Sequence, residues 1–246
     1  MTDRPILFSA PMVQALLAGR KTQTRRALKP IPWNKDGNAV DINIAPTARY
    51  TQGADGGFFY AFDHPHGGPL TAHRARFAIG DRLWVKETWR TLQKWNDMKP
   101  RHVMDDPDKV DYSADGFPRN KLWAWGKTRV SIFMPRWASR LTLTVTDVRV
   151  ERLQDCSEAD AIAEGVRRIF PEGSRNDTGP YHFTVPIQHG SLNERTAKAT
   201  YELLWNVING PGAWEANPWV VAVSFAVHRC NIDQMPTPAP IEGGPL

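Results

Sequence analysis

The stretch Leu17-Ala18-Gly19-Arg20-Lys21-Thr22-Gln23-Thr24-Arg25-Arg26 joins a predicted helix to a predicted strand and carries much of the charge of the N-terminal region. Six of the first thirty residues are Lys or Arg and one is acidic, an excess of five that equals the formal net charge of the whole chain. Such a cluster with two hydroxyl groups suits an anionic or polar ligand, and crowded cations lower the pKa of a lysine toward that of a usable base. On residue types alone, a solvated turn between a helix and a strand also explains this stretch.

The composition indicates a basic globular protein. The chain has 246 residues, enough for one large domain or two small ones, and 41% of them are apolar. A pI near 9.3 and ten tryptophans favour an anionic partner, nucleic acid above all. Cations pair with phosphates, and aromatic faces stack on bases.

The sequence lacks the usual features of secreted, membrane and metal proteins. Cys156 and Cys230 match no zinc or redox spacing, so two reduced thiols are expected. His64, His66 and His73 have no Cys or acidic partner at ligand spacing, so no metal is assigned. No signal-peptide segment or transmembrane-length apolar run is present. We expect a cytoplasmic protein with no membrane association, no cofactor and no inferred protein partner.

The hydrophobic pattern predicts strands and helices in a mixed order. Ser9 and Pro11 start a helix that Gly19 ends, and residues 21–26 follow as an extended segment with Thr22, Thr24 and Arg26 on one face. Further strands are predicted at 82–89, 129–134, 141–150 and 219–227. A capping box of Ser157 and Asp160 begins a predicted helix at 157–164, and Ser191 caps a second predicted helix that ends at Gly210 and has Tyr201 in its apolar core stripe.

Two long stretches, at about 30–76 and 91–128, read as irregular insertions rich in turn-forming residues. We expect one domain over 1–234 and a disordered Pro/Gly-rich tail over 235–246.

The order of several fragments resembles the ASCH domain. These fragments are Gly19-x-Lys21, the segment from Gly80 to Val85, the strand 141–150, the helix ending Ala163-Glu164-Gly165, and the closing strand from Trp219. In length the chain is similar to bacteriophage-type members of that family. The resemblance implies an α+β fold, a PUA-like small β-barrel with accessory helices.

The cleft motif of that family is usually Gly-x-Lys-x-x-Glu-x-Arg, and here it reads Gly19, Lys21, Thr24 and Arg26. The chain has threonine in place of the glutamate, and in this it resembles the branch of N4-acetylcytidine amidohydrolases. The resemblance implies that Lys21, Thr24 and Glu164 form the catalytic set. The glutamate rests on a short helix rather than on a fixed motif.

Such a set would perform acyl transfer on an N4-acylated cytosine nucleoside. Lys21 would take the proton of Thr24, whose hydroxyl would attack the amide carbonyl, and Glu164 would protonate the leaving amine. Candidate substrate-binding residues are Arg26, Trp84, Lys86, Arg136 and Trp137.

Other interpretations stay open. Thr22 is a rival nucleophile, and Glu164 would serve equally as a helix-end acid paired with Arg167 or Arg168. A non-catalytic RNA-binding module would contact the RNA backbone through Arg20, Arg25, Arg26, Lys86, Arg136 and Arg140, and a base through Trp84 or Trp137. A metal-independent ribonuclease of the same fold is the third possibility.

Overall fold

A computed structural model of the protein describes residues 2–29, 42–54, 57–103, 109–117, 124–170 and 182–235. Nearly all of the tail predicted to be disordered, from 236 onward, lies outside these residues, as does the segment 30–41. The described strands and helices are, in chain order, β1 (Asp3–Leu7), α1 (Ala10–Leu17), β2 (Gln23–Ala27), β3 (Ala48–Gln52), β4 (Phe58–Asp63), β5 (Pro69–Arg74), β6 (Arg82–Lys86), β7 (Trp89–Arg90), β8 (Asp111–Tyr112), β9 (Thr142–Arg152), α2 (Glu158–Ala163), β10 (Arg167–Ile169), β11 (His182–Ile187), β12 (Gly190–Glu194), α3 (Ala197–Asn209) and β13 (Trp219–His228).

A five-stranded sheet in the order β1-β6-β9-β13-β2 carries the main core. β1 runs parallel to β6, and the other neighbouring strands are antiparallel. The alternating pattern predicted at 141–150 is confirmed as β9, which buries Leu143, Val145 and Val148. The apolar run of β13 lies between β9 and β2, where both edges are hydrogen-bonded. This pairing brings β2, near the start of the sequence, against the last of the described strands.

The edge strands β1 and β2 approach each other without pairing. Arg26 of β2 donates a hydrogen bond from Nη2 to the carbonyl of Leu7 in β1, at 2.9 Å. Its guanidinium lies 5.4 Å from the centroid of the Phe8 ring. The combination of mainly antiparallel sheets with a few helices makes the fold α+β, as predicted. No closed barrel is found among the described strands, because a side chain rather than a backbone ladder spans these two edges.

The stretch at 30–76 is less irregular than predicted. Its described part contains an antiparallel three-stranded sheet, β3-β4-β5. Tyr60 and Phe62 of β4 are buried in the main core, where the Phe62 ring meets Trp219 edge-on with centroids 5.9 Å apart. Turn residues such as Gly67 and Gly68 masked this sheet in the sequence, although both serve as its tight turn, with positive φ.

A second apolar cluster lies beneath α2, α3 and the sheet β10-β11-β12. The prediction that Ser191 caps a helix is wrong, since Ser191 pairs with Pro186 in the hairpin β11–β12. Thr196 caps α3 instead, accepting a hydrogen bond from the main-chain N–H of Ala199. The predicted strand at 129–134 is also wrong. Residues Ser131–Phe133 form a 3₁₀ turn whose apolar side chains are exposed.

Candidate active site

The end of α1 turns Lys21 into the protein interior. Gly19 adopts φ +68°, the left-handed conformation predicted for the residue that ends this helix. The main-chain N–H groups of Arg20 and Lys21 both donate to the carbonyl of Ala15, at 2.9 and 3.1 Å. This tight exit places the lysine side chain in the core, where its exposed fraction is 1%.

The end of α2 brings Glu164 to the same place. Ser157 and Asp160 form the predicted capping box at the start of this helix, and Glu164 follows its last residue. Gly165 then has φ +110°, and a Cβ atom there would lie 3.3 Å from Cβ of Ala15. The glycine thus lets the end of α2 approach α1 closely.

Lys21 and Glu164 form a buried ion pair. Nζ of Lys21 donates to Oε2 of Glu164 at 2.7 Å and to the Glu164 main-chain carbonyl at 2.9 Å. The exposed fractions of the two side chains are 1% and 4%. Burial lowers the pKa of Lys21 and outweighs the negative charge of Glu164, which raises it. The positive charges of Arg26 and Arg25 lower it further. The lysine is thus held nearer to its neutral form than a solvated lysine would be.

Arg25 holds the other oxygen of the carboxylate. Its Nη1 donates to Oε1 of Glu164 at 3.4 Å and to Oε1 of Gln23 at 2.6 Å. Nη2 lies 2.6 Å from the carboxylate of Glu151 and 3.3 Å from that of Asp160. The Glu164 carboxylate therefore has a cation at each oxygen, which fixes its orientation.

Tyr201 of α3 also interacts with Glu164. The tyrosine is buried, and burial, followed by the negative charge of Glu164, raises its pKa well above the usual value. Its hydroxyl therefore stays protonated and interacts with the carboxylate. The charges of Arg25 and Glu164 also act on Cys156, but burial dominates and raises the pKa of its thiol to about 12. The thiol thus offers no competing nucleophile at neutral pH.

Thr24 and Glu164 line one small cavity, here called the Thr24 chamber, of about 70 Å³. Arg25, Tyr201 and Trp205 are among its other walls. Thr24 is 3% exposed and lies opposite Val223 of β13. Among the described residues, its hydroxyl has no hydrogen-bond partner. The rival Thr22 is exposed and does not line the chamber.

The Thr24 chamber adjoins a larger cavity of about 480 Å³, here called the apolar groove. Five residues line both spaces: Met12, Arg26, Glu164, Leu204 and Ile208. The rest of the groove is mainly apolar, with Phe8, Val185 and Val207 among its walls. The chamber and the groove together offer a small space with polar groups beside a larger, mainly apolar one, which suits an apolar ring that carries one small polar group.

Arg26 lines both the Thr24 chamber and the apolar groove, whereas the other predicted substrate-binding residues lie outside them. Lys86 stacks on Trp84, with Nζ 5.2 Å from the ring centroid, and donates to the carbonyl of Ile132. Arg136 is paired with Asp3 and with Asp233, both through Nη2. Trp137 packs edge-on against Trp89. Within the described parts of the chain, Trp84, Lys86, Arg136 and Trp137 line neither the Thr24 chamber nor the apolar groove.

Sequence reasoning missed Arg25 and Tyr201 as neighbours of Glu164. Tyr201 had been assigned to the core stripe of its helix, and the structure does bury it. A single hydroxyl within that apolar stripe was the available signal, because a buried tyrosine oxygen needs a partner.

Three further findings concern the whole described chain. No group of three or more His, Cys, Asp or Glu side chains in it is arranged to hold a metal ion. None of its helices is long and apolar enough to cross a membrane. Comparisons of the chain with protein-family models, with curated proteins and with solved structures give no match.

Proposed function

We propose that this chain is an ASCH-type, PUA-like protein that hydrolyses the acyl amide of N4-acylated cytosine nucleosides. The observation that carries the proposal is the buried Lys21–Glu164 pair, 2.7 Å apart, beside a chamber that Glu164 shares with the unpartnered hydroxyl of Thr24. Glu164 links a base, Lys21, to the chamber that contains an alcohol, Thr24, although Lys21 itself does not line that chamber. These are the groups that amide hydrolysis through an acyl-enzyme needs.

Catalysis requires that one proton first move within the resting ion pair. Moving a proton from Lys21 to Glu164 across their hydrogen bond leaves a neutral amine and a neutral carboxylic acid. Burial favours the neutral amine, because it lowers the pKa of Lys21. The amine is then a base for Thr24, and the acid is ready for the leaving nitrogen.

In the acylation step, the amine of Lys21 removes the proton of Thr24 as the hydroxyl oxygen bonds to the acyl carbon. The new ammonium, which has two hydrogen bonds to Glu164, turns its third N–H to the oxyanion. Glu164 protonates N4, the C–N bond breaks, and cytidine leaves with an amino group. The carboxylate of Glu164 then takes a proton from water as the water attacks the acyl-threonine ester. Lys21 returns its proton to the Thr24 oxygen, and a carboxylic acid leaves.

The size of the Thr24 chamber favours a short acyl group. Its volume of about 70 Å³ is small beside the 480 Å³ of the adjoining apolar groove. An acetyl group is small enough for such a space, whereas a long acyl chain is not. The cytosine ring would lie in the apolar groove, against walls such as Phe8 and Val185.

The ion pairs of the protein argue against the non-catalytic RNA-binding alternative. Of the cations proposed for contact with an RNA backbone, Arg25, Arg136 and Arg140 are all engaged with carboxylates of the protein itself. Breaking such pairs would oppose phosphate binding at those positions.

The test is to incubate the protein with N4-acetylcytidine and to separate the products by chromatography. The wild type should release cytidine and acetate in equal amounts. Thr24→Ala should lose activity by about 10³-fold or more, as expected when a nucleophile is removed. Thr22→Ala, two residues away on the same strand segment, is the matched control and should keep wild-type activity. Activity retained in Thr24→Ala, or no hydrolysis by the wild type, contradicts the proposal. RNA cleavage in a parallel incubation would favour a ribonuclease.

A further inference from the structure

A third cavity, of about 500 Å³, lies on the other side of Arg26 and is here called the cationic cavity. Four basic side chains line it: Arg26, Lys29, Arg74 and Arg76. No Asp or Glu is among its described lining residues, and Tyr60 and Phe77 contribute aromatic walls. The cavity is thus a concave surface with charges of one sign.

These cations lack the carboxylate partners that several other arginines of the described chain have. Arg25, Arg82, Arg136 and Arg140 all form ion pairs with the chain's own acids. Among the described residues, no such pair involves the four basic residues of the cationic cavity. Unpaired like charges repel one another, so their clustering is costly unless an anion joins them.

The pKa of Arg26 is affected by this repulsion. Burial lowers the pKa of Arg26, and the positive charge of Arg76 lowers it further, against the negative charge of Glu164. Among the described residues, the Arg26 guanidinium donates one hydrogen bond, to the Leu7 carbonyl, so its remaining N–H groups can donate to other acceptors. A bound phosphate would supply those acceptors and neutralise the cluster.

The cationic cavity is built by the stretch that looked irregular in the sequence. Arg74 ends β5, which pairs with β4 and places Arg74 opposite Phe59. The N–H of Ala75 then donates to the Phe58 carbonyl at 2.7 Å, which holds the chain that leads to Arg76. The three-stranded sheet therefore delivers two arginines to the gap between β1 and β2.

Arg26 lines the Thr24 chamber, the apolar groove and the cationic cavity. The three spaces meet at this residue, so a ligand with its acyl group in the chamber and its cytosine in the groove has the cationic cavity beside it for a phosphate. We infer that the cationic cavity is a phosphate subsite, so that an N4-acylated cytidine nucleotide, free or within RNA, binds more tightly than the free nucleoside. This inference rests on the proposed function, which it deepens.

The experiment measures binding by isothermal titration calorimetry with the full-length Thr24→Ala protein, which removes turnover. Cytidine and cytidine 5′-monophosphate are the two probes. The nucleotide should bind at least about tenfold more tightly, a difference of about 1.4 kcal/mol. In an added Arg74→Gln/Arg76→Gln background, the ratio of the two affinities should fall close to one. Arg49→Gln is the matched control, since it removes one arginine of the same sheet whose partner is Asp63, and it should keep the ratio.

Two outcomes overturn the inference: equal affinities for both probes in the parent protein, or an unchanged ratio in the Arg74/Arg76 variant with a native circular dichroism spectrum. If that variant does not fold, Lys29→Gln alone must reduce the ratio, and an unchanged ratio there is equally contradictory. The source of the phosphate is separated by a short RNA containing cytidine, whose affinity should fall steeply with salt if several phosphates bind. Nucleotide binding that depends on the arginines, in a protein without hydrolytic activity, would refute the proposed function and leave the subsite standing.

Discussion

Replacement of Glu164 by glutamine isolates the charge that balances Lys21. Glutamine keeps the size of the side chain and one carbonyl oxygen, but it leaves an ammonium with an exposed fraction of 1% without a counter-charge at 2.7 Å. Removing one partner of a buried ion pair costs about 3–5 kcal/mol. Because the glutamine oxygen still accepts a hydrogen bond, we expect the lower end of that range, about 3 kcal/mol at pH 7. For a chain of this length that loss corresponds to a melting temperature lower by about 6–12 °C.

The dependence of the free energy of unfolding of Glu164→Gln on pH gives an independent test. In Glu164→Gln, burial and the neighbouring arginines still lower the pKa of Lys21, whereas the opposing charge of Glu164 is gone. The folded state then binds fewer protons than the unfolded state between the folded pKa of Lys21 and the usual lysine value of about 10.4. The free energy of unfolding should therefore rise with pH through this window, and the loss relative to the wild type should shrink as pH 10 is approached.

Urea unfolding at several pH values, followed by tryptophan fluorescence, measures both effects. The control is Lys21→Met/Glu164→Gln, in which no buried charge is left at Nζ. This double variant should recover most of the stability and lose the extra pH dependence, although it should not hydrolyse substrate. If Glu164→Gln is within about 0.5 kcal/mol of the wild type at pH 7, or if its loss is the same at pH 7 and pH 10, the buried pair described here does not exist in solution.

Three further changes test the surroundings of the pair. Gly165→Ala should lower the free energy of unfolding by about 1–3 kcal/mol, because alanine is strained at φ +110° and its Cβ would crowd Ala15; chemical denaturation measures the loss. Ser157→Ala should cost about 1 kcal/mol through the lost N-cap of α2, with Ser157→Gly as a milder comparison. Tyr201→Phe should cost about 1–2 kcal/mol, because the buried Glu164 carboxylate loses a donor while the ring volume is kept; an unchanged stability would mean that the hydroxyl does not contact the carboxylate.

The local elements were predictable where short-range signals agree. Gly19, the capping box at Ser157 and the alternation of β9 each act within a few residues, and all three are confirmed. Where pairing depends on a neighbouring strand, the same reasoning failed. Ser191 looked like a helix cap, yet it lies in a strand because β11 pairs with it. The segment 129–134 looked like a strand, yet it pairs with the described strands only through the bridge between Arg129 and Trp89, and Phe133 is 61% exposed.

The candidate site was predictable only in part, for the same reason. Lys21 and Glu164 are 143 positions apart, and no local pattern relates them. Only the family resemblance suggested that the two belong together. Arg25 was counted as a surface cation, although three carboxylates compensate it in the interior. The cationic cavity was hidden because Arg74 and Arg76 lie in a stretch without clear periodicity.

The pairing of β2 with β13 has a consequence for how the protein is made. The side chains of Gln23 and Ser224 are hydrogen-bonded at 3.1 Å although they are 201 positions apart. A ribosome adds about 5–20 residues per second, so about 10–40 s pass between the synthesis of these two partners. Until β13 is synthesised, β2 has no partner strand among those described. Nascent chains that stop before β13 should therefore carry the whole Lys21–Arg26 segment and still be inert.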